Sequence, residues 1–431
     1  MLANTALPLL GLIDTAIIGH LGATTDLAAL AVGSIVLNVI FWNFGFLRMS
    51  TTGFIAQAEG RQDDIAKIQT LIRAIVVALF FAALLLLCKG FIVQAALNIL
   101  APPIDTYTSA FSYITIRLWA APASLINFII VGYLIGLARN RALLTLQIFL
   151  NGTNAILDII LVSYFNMGIE GIALGTLIAE YTTMLIGLCW LAKTQIPAGC
   201  QAKVLANLWK GAALFSLLKS NRDIWIRTLF LLAGFVGFTH YSGAYGSSQL
   251  AANHILLQII SFSAFFLDGF ANVTEAYIGK AIGRHNRQGF IDVIRKTSLL
   301  ALITAITLAA ALTIFGKHLL SMFTNLQHIQ IIAQAYLPFV ALYIAFSCGA
   351  FQLDGIFIGA NGSAALRNAS ILSTSLVFGL WYWLLPEIGM SGLWLTFVAF
   401  VIFRSLFLGA YLPQLIKQHF PVDAHQSKPQ A

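Results

Sequence analysis

Charge is scarce in this chain. Asp, Glu, Lys and Arg together make up 9% of its 431 residues, where a soluble protein carries about a quarter. With 59% hydrophobic residues and a mean hydropathy of +0.87, that scarcity excludes a soluble globular domain and points to a polytopic integral membrane protein. A net charge of +8 spread this thinly forms no basic face, so no nucleic-acid partner is expected. The basic residues read instead as topology signals, because Lys and Arg hold loops in the cytoplasm. Cysteine is scarce too. Cys88, Cys189, Cys200 and Cys348 lie in or beside apolar segments without metal spacing, which excludes a disulfide framework and a metal centre. No cofactor is expected. Met1 to Gly19 has no basic start and carries Asp14, so it does not read as a signal peptide.

What the chain has in place of charge is long apolar runs. A spanning helix needs about 20 apolar residues, and twelve such segments fit, near 1–20, 27–50, 68–93, 107–138, 142–164, 170–192, 223–243, 249–277, 295–316, 330–360, 366–385 and 390–414. These define an amino-terminal six-helix bundle over 1–192, a linker over 193–222, a carboxy-terminal bundle over 223–416 and a tail over 417–431. In the linker, Leu205, Leu208, Trp209, Leu214 and Leu217 among several Lys residues suggest a helix lying in the cytoplasmic interface. Basic residues gather at alternate span ends: Arg61, Lys67, Arg139, Arg141, the linker, Lys280, Arg284, Arg287, Arg295, Lys296, Arg367 and Lys417 fall on one side. That side is expected to be cytoplasmic, with both termini on it and the tail disordered. The lipid bilayer is the expected partner, and the chain is expected to act as a monomer.

The halves repeat. Leu27-Ala28-Ala29 recurs as Leu250-Ala251-Ala252, Gly60-Arg61 as Gly283-Arg284, and Gly132-x-x-x-Gly136 as Gly355-x-x-x-Gly359, all at the offset of 223 residues that separates Leu27 from Leu250. Gly168-x-x-Gly171 matches Gly389-x-x-Gly392 with a two-residue slip. Six spans per repeat is an even number, so both halves enter the membrane in the same direction. The expected fold is all-α, with two six-helix bundles related by a pseudo-two-fold axis along the membrane normal, an architecture of transporters.

Ionisable residues at bilayer depth are costly and functional by default. Asp14, Asp158, Glu180, Asp268, Glu275 and Asp354 lie within or near the ends of spans, with Arg48 and Arg117 as buried cations. Asn151, Asn154 and Asp158 share one face of the fifth span by their spacing. If Asp14 faces that stripe, two carboxylates share a dry pocket that holds or releases a proton as it opens to water. Asp268 and Asp354, each followed by Gly, are second candidates, and Arg48 is placed to neutralise either of them. Glu180 and Glu275 are expected to snorkel from span ends. Single histidines (His20, His240, His254, His318) read as interfacial rather than as ligands.

Six stretches resemble the multidrug and toxic compound extrusion (MATE) family, in its DinF-like branch. They are Pro8-Leu9-Leu10-Gly11-Leu12-Ile13-Asp14-Thr15-Ala16, Leu47-Arg48-Met49-Ser50-Thr51-Thr52-Gly53, Ala121-Pro122-Ala123-Ser124-Leu125, Asn221-Arg222-Asp223-Ile224, Leu267-Asp268-Gly269-Phe270 and Leu353-Asp354-Gly355-Ile356-Phe357-Ile358-Gly359. The resemblance runs the length of the chain. It implies a twelve-helix antiporter that expels organic, often cationic compounds in exchange for H⁺, with Na⁺ as the alternative. It also implies ion coupling at Asp14, Asn154, Asp158 and Thr176, with Asp268 and Asp354 as second-lobe counterparts; as buried polar residues, Arg48 and Asn151 join these two as substrate or second-lobe candidates. Family members carry a dozen or more residues ahead of the first motif, so Met1 falls inside the first helix, whose roughly 19 residues span about 29 Å.

Other classes fit less well. A lipid-linked flippase of the same superfamily wants a basic cavity, whereas the candidate residues here are mainly acidic. The loop Glu59-Gly60-Arg61-Gln62-Asp63-Asp64 does not match the basic signature of major-facilitator carriers. An enzyme is not expected: His-Glu-x-x-His is absent, and Gly246-Ser247-Ser248, the best serine candidate, sits at a loop.

Overall fold

In a computed structural model, residues 14–15, 17–18, 24–195, 208 and 211–421 are described. Among them every regular element is a helix. The chain divides into two compact units, Leu2–Asn221 and Arg222–Ala431. The first holds α1 (Thr24–Trp42), α2 (Phe46–Gly60), α3 (Asp64–Leu100), α4 (Ile104–Leu118), α5 (Ala121–Gly136), α6 (Asn140–Ser163) and α7 (Gly168–Gln195). Helix α8 (Gly211–Gly243) contains the boundary. It is followed by α9 (Ser247–Gly283), α10 (Arg287–Phe323), α11 (Gln327–Gly359), α12 (Ser363–Ile388), α13 (Met390–Ala410) and the short α14 (Leu412–His419).

Ten described helical stretches are long and apolar enough to cross a membrane, or eleven when α4 and α5 count as one span bent by 52°. They fall on the second to twelfth expected spans. The first, 1–20, lies outside the described residues except for Asp14, Thr15, Ile17 and Ile18, which are helical. Large apolar side chains such as Leu87, Phe91, Ile99 and Ile104 stand exposed, as on helices that face lipid.

Three expectations need correction. The spans expected at 27–50 and 107–138 are each broken. At Asn43–Gly45 the Asn43 amide donates to the Val39 carbonyl (2.7 Å), competing with the helical ladder, and Gly45 is a poor helix former. At Trp119–Ala120 the cause is Pro122, which has no N–H to continue the ladder from α4. The linker's described second half is no separate interfacial helix: Gly211–Arg222, free of proline, are the opening turns of α8 and run straight into the next span. Residues 196–207, 209 and 210, Leu205 and Trp209 among them, lie outside the described part. The tail is also shorter than expected. Helix α14 runs to His419, buries Leu415, and is followed by a buried Phe420 whose ring meets Phe290 at 5.4 Å. Residues 422–431 lie outside the described part.

The 223-residue repeat holds element by element. Shifting α3 by that offset gives the bounds of α10, Asp64 to Arg287 and Leu100 to Phe323. Asp63 caps α3 by accepting from the Ala66 N–H (2.9 Å), and Asn286 caps α10 by accepting from the Gly289 N–H (2.8 Å). Left-handed backbone recurs at Gln62 and His285, and again at Ala138 and Asn361. The repeat also holds contact by contact. Gly132 lies against the Arg48 carbonyl and Gly136 against that of Thr52; their counterparts Gly355 and Gly359 lie against the carbonyls of Ala271 and Glu275. Only glycine permits this approach, since a Cβ at any of the four would collide with the facing backbone. Small residues here do what they do in membrane bundles generally, bringing two backbones into contact.

In the first unit α2 packs on α5, α1 on α4, and α6 on α7. In the second, α9 packs on α11, α10 on both, and α12 on α13. The second unit centres on an aromatic cluster of Phe238, Tyr343, Trp381, Trp394, Phe397 and Phe400. One core of the first is aliphatic apart from Tyr113, with Ile18, Leu30, Ile114, Val162 and Ile172.

Candidate ion-coupling site

Beside that aliphatic core the first unit holds a polar site. Asp158 and Asn154 lie one turn apart on α6, so both side chains leave the same face, which is buried against α7. Both are fully buried. The Asn154 amide donates from Nδ2 to Asp158 Oδ2 (2.9 Å) and to Thr176 Oγ1 on α7 (3.1 Å). Thr176 in turn donates to the Ile172 carbonyl one turn earlier (2.9 Å). Asp14, 4% exposed, turns its carboxyl group to Asp158 and Asn154. Two carboxyl groups hydrogen-bond to one another only through a proton that one of them holds. Among the described residues Asp14 Oδ1, Asp158 Oδ1 and Asn154 Oδ1 have no hydrogen-bond partner, so the cluster keeps unfilled acceptor capacity.

The room for it comes from Gly175. A Cβ at that position would land on Asp158 Oδ1, with Asp158 Cγ and N each 3.2 Å away. Helix α7 can thus approach α6 closely enough to seat the carboxylate only because residue 175 has no side chain.

The structure therefore brings together Asp14, Asn154, Asp158 and Thr176. Asn151 is buried a turn earlier on the same face of α6. Arg48 is half-buried on α2. Asp268 and Asp354 belong to the second unit, Asp268 half-buried on α9 and Asp354 buried on α11. Asp354 does not stand alone in its own unit. Its Oδ2 accepts from Arg227 of α8 and from Arg404 Nη2 of α13 (2.9 Å). Nor do Glu180 and Glu275 snorkel, since both are buried. Glu180 of α7 pairs with Arg117 of α4 (3.2 Å) and accepts from the Ser124 hydroxyl. Snorkelling fails because a buried cation reaches Glu180 first.

Sequence reasoning missed Arg227 and Arg404, although each is a cation inside an apolar run and each deserved the suspicion given to Arg117. It also missed the cluster at Asp223, fully buried, which accepts from Arg222 (2.9 Å), Arg367 (2.8 Å) and Ser363 (3.3 Å). By sequence Arg367 reads as a topology charge, and nothing in its neighbours announces a partner 144 residues away.

A polytopic all-α membrane protein of two like bundles, with a buried carboxyl cluster inside one, has the build of a secondary transporter. The comparisons narrow that class. The MatE family model matches residues 1–160 and 226–383. The DNA damage-inducible protein F of Escherichia coli is 36% identical over 408 residues, covering 95% of this chain and 88% of that protein. The chloroplastic protein DETOXIFICATION 44 of Arabidopsis thaliana is 29% identical over 430 residues, covering 95% and 79%. Among solved structures, the Vibrio cholerae MATE transporter VcmN in its bent form superposes with a TM-score of 0.84 at 18% identity, over 97% of this chain and 95% of that one. The chain belongs to the MATE family of multidrug and toxic compound extrusion transporters.

Proposed function

We propose that this transporter is a proton-coupled antiporter, exporting organic compounds, often cationic and amphipathic, by alternating access. Its coupling site is Asp14 with Asp158, set by Asn154 and Thr176. The observation that carries this reading is the approach of two buried carboxyl groups to one another, which repel unless a proton lies between them. The orientation of Asn154 favours H⁺ over Na⁺: the amide aims its NH₂ at Asp158 and Thr176, whereas a hard cation would draw the carbonyl oxygen inward. Protonation from outside favours the state that releases substrate, and deprotonation towards the cytoplasm resets the state that accepts it. Asp268, Asp354, Arg48 and Asn151 serve substrate or the second lobe, with the Arg227–Asp354–Arg404 group fixing the charge of α11 rather than cycling a proton. Both termini face the cytoplasm of a bacterial inner membrane, and the chain acts without enzymatic chemistry. A relative named for extrusion of drugs and toxins, the human multidrug and toxin extrusion protein 1, is 22% identical over 422 residues.

The test is uptake of ethidium into proteoliposomes driven by a pH gradient alone and by a Na⁺ gradient alone. The pH gradient is expected to suffice, and Asp14→Asn to abolish driven uptake while the protein still reaches the membrane. Uptake driven only by Na⁺, or full activity of Asp14→Asn, refutes the reading.

A further inference from the structure

The Arg117–Glu180 pair has a place that neither stability nor substrate binding accounts for. It spans the break between α4 and α5, where the chain bends by 52°. Glu180 takes Arg117, the last turn of α4, on Oε1 and Ser124, the first turn of α5, on Oε2. From the same stretch of α7, the Glu180 carbonyl accepts from Asn127 (3.0 Å) and the Tyr181 hydroxyl donates to the Trp119 carbonyl (3.0 Å). The break is therefore clamped from both sides by two consecutive residues of α7. In the second unit the counterpart, α11, runs unbroken from Gln327 to Gly359, and Arg117 is replaced by Val340.

The clamp also stands beside the carboxyl pair. Arg117 is buried, and its charge acts on both Asp14 and Asp158. Its Nε has no hydrogen-bond partner among the described residues, and neither has Oδ1 of either aspartate. The first unit thus holds a buried guanidinium nitrogen without an acceptor and two buried carboxyl oxygens without a donor, groups costly to keep so unless they are used. The charged and titratable groups around Arg117 are Tyr113 on its own helix, Asp14 on the first helix, Asp158 on α6 and Glu180 on α7. Lys89 of α3 and Tyr181 of α7 meet Trp119 at the break itself.

We propose that Arg117 is a positioning residue exchanged between two partners, Glu180 while the Asp14–Asp158 pair holds its proton, and the pair once the proton has left. Loss of the proton creates a second buried carboxylate charge, and a cation that leaves Glu180 to meet it opens the clamp across the α4–α5 break. The proton on the pair is thereby converted into the bend of a helix. The inference rests on the reading of Asp14 and Asp158 as the coupling site.

The test uses the full chain reconstituted in lipid, titrated while the infrared carbonyl stretch of protonated carboxyl groups is followed. The band that Asp14→Asn removes reports the pair. Arg117→Gln is expected to move its midpoint to higher pH by about one unit, tenfold in proton affinity, because an opposite charge at close range is worth that much or more. Arg117→Lys, which keeps the charge, restores most of it. Glu180→Gln is expected to move the midpoint to lower pH by a similar amount, and this shift should collapse when Arg117→Gln is also present. Spin labels at Ile104→Cys and Arg139→Cys, in a background without the native cysteines, should give different distances in acid and alkaline buffer, a difference that Arg117→Gln removes. A Glu180→Gln shift that is the same with or without Arg117 overturns the exchange, as does a midpoint neither variant moves even if both lower the melting temperature. If Asp14→Asn removes no titrating band, the coupling reading itself fails, and the exchange with it.

Discussion

Gly175→Ala is the smallest change that should uncouple this transporter. The added methyl group lands on Asp158 Oδ1, and it has no second place to go: Asp158 Cγ and the Asp158 backbone nitrogen are each 3.2 Å from it. The carboxylate must turn away, and the bond from Asn154 Nδ2 to Asp158 Oδ2 (2.9 Å) goes with it, together with the contact to Asp14. A hydrogen bond to a charged group is worth about 1.5–3 kcal/mol, so loss of one corresponds to roughly tenfold to a hundredfold in the balance between protonated and deprotonated site. Folding should suffer much less, because alanine is favoured over glycine inside a helix by about 1 kcal/mol. The expected signature is therefore dissociated: pH-driven ethidium uptake falls at least tenfold while the melting temperature in detergent changes by a few degrees at most. Gly152→Ala is the control. It lies on α6, is exposed, and its new methyl would meet nothing within 4 Å, so both activity and stability should be kept. Normal coupling in Gly175→Ala would show that the seat of Asp158 is not the seat of coupling.

Asp354→Asn removes the negative charge shared by Arg227 and Arg404 and leaves two buried guanidinium groups on a neutral amide. Removing one partner of a buried ion pair costs about 3–5 kcal/mol, so a clear drop in melting temperature is expected, and an unchanged one refutes the pairing. Gly132→Ala and Gly355→Ala should each destabilise, by about 1–3 kcal/mol from overpacking, since both press on a backbone carbonyl that cannot yield. If thermal melting shows one tolerated and the other not, the repeat is a likeness of sequence rather than of contacts.

The spans were legible because a run of apolar residues has few other fates, and the repeat because Gly-x-x-x-Gly marks a backbone contact that no other residue allows. The breaks within spans were not. Pro122 and Gly45 are visible in the sequence, but a proline in a membrane helix is as compatible with a kinked continuous helix as with a stop. The face of α6 was legible from its spacing, since Asn154 and Asp158 differ by one turn. That Asp14 meets that face follows from the packing of separate helices, which the spacing within α6 does not contain. Ion pairs were the least legible of all. Arg117 with Glu180 and Arg404 with Asp354 are separated by 63 and 50 residues, and a buried carboxylate in a sequence names no particular partner among the arginines available to it.

The duplication makes the placement of the coupling site an argument rather than an observation. Shifted by the repeat, Asp14 becomes Gly237 and Asp158 becomes Trp381. These two counterparts also touch: a Cβ on Gly237 would strike the Trp381 ring and that of Phe378. The same pair of positions, one on the first span of its unit and one on the fifth, is thus filled once by two carboxyl groups and once by a buried indole against a bare backbone. An aspartate at 237 would meet aromatic rings, with no space and no carboxyl at 381 to share a proton with. Two of the second unit's buried carboxylates, Asp354 and Asp223, are each held by two arginines. Charges fixed in that way are expensive to disturb, and α9 and α11 run unbroken where α1–α2 and α4–α5 are interrupted. A carboxyl pair with spare acceptors and interrupted helices occur together in one unit, and arginine-locked carboxylates with continuous helices in the other. If a proton drives this transporter, the first unit is the one built to change shape with it.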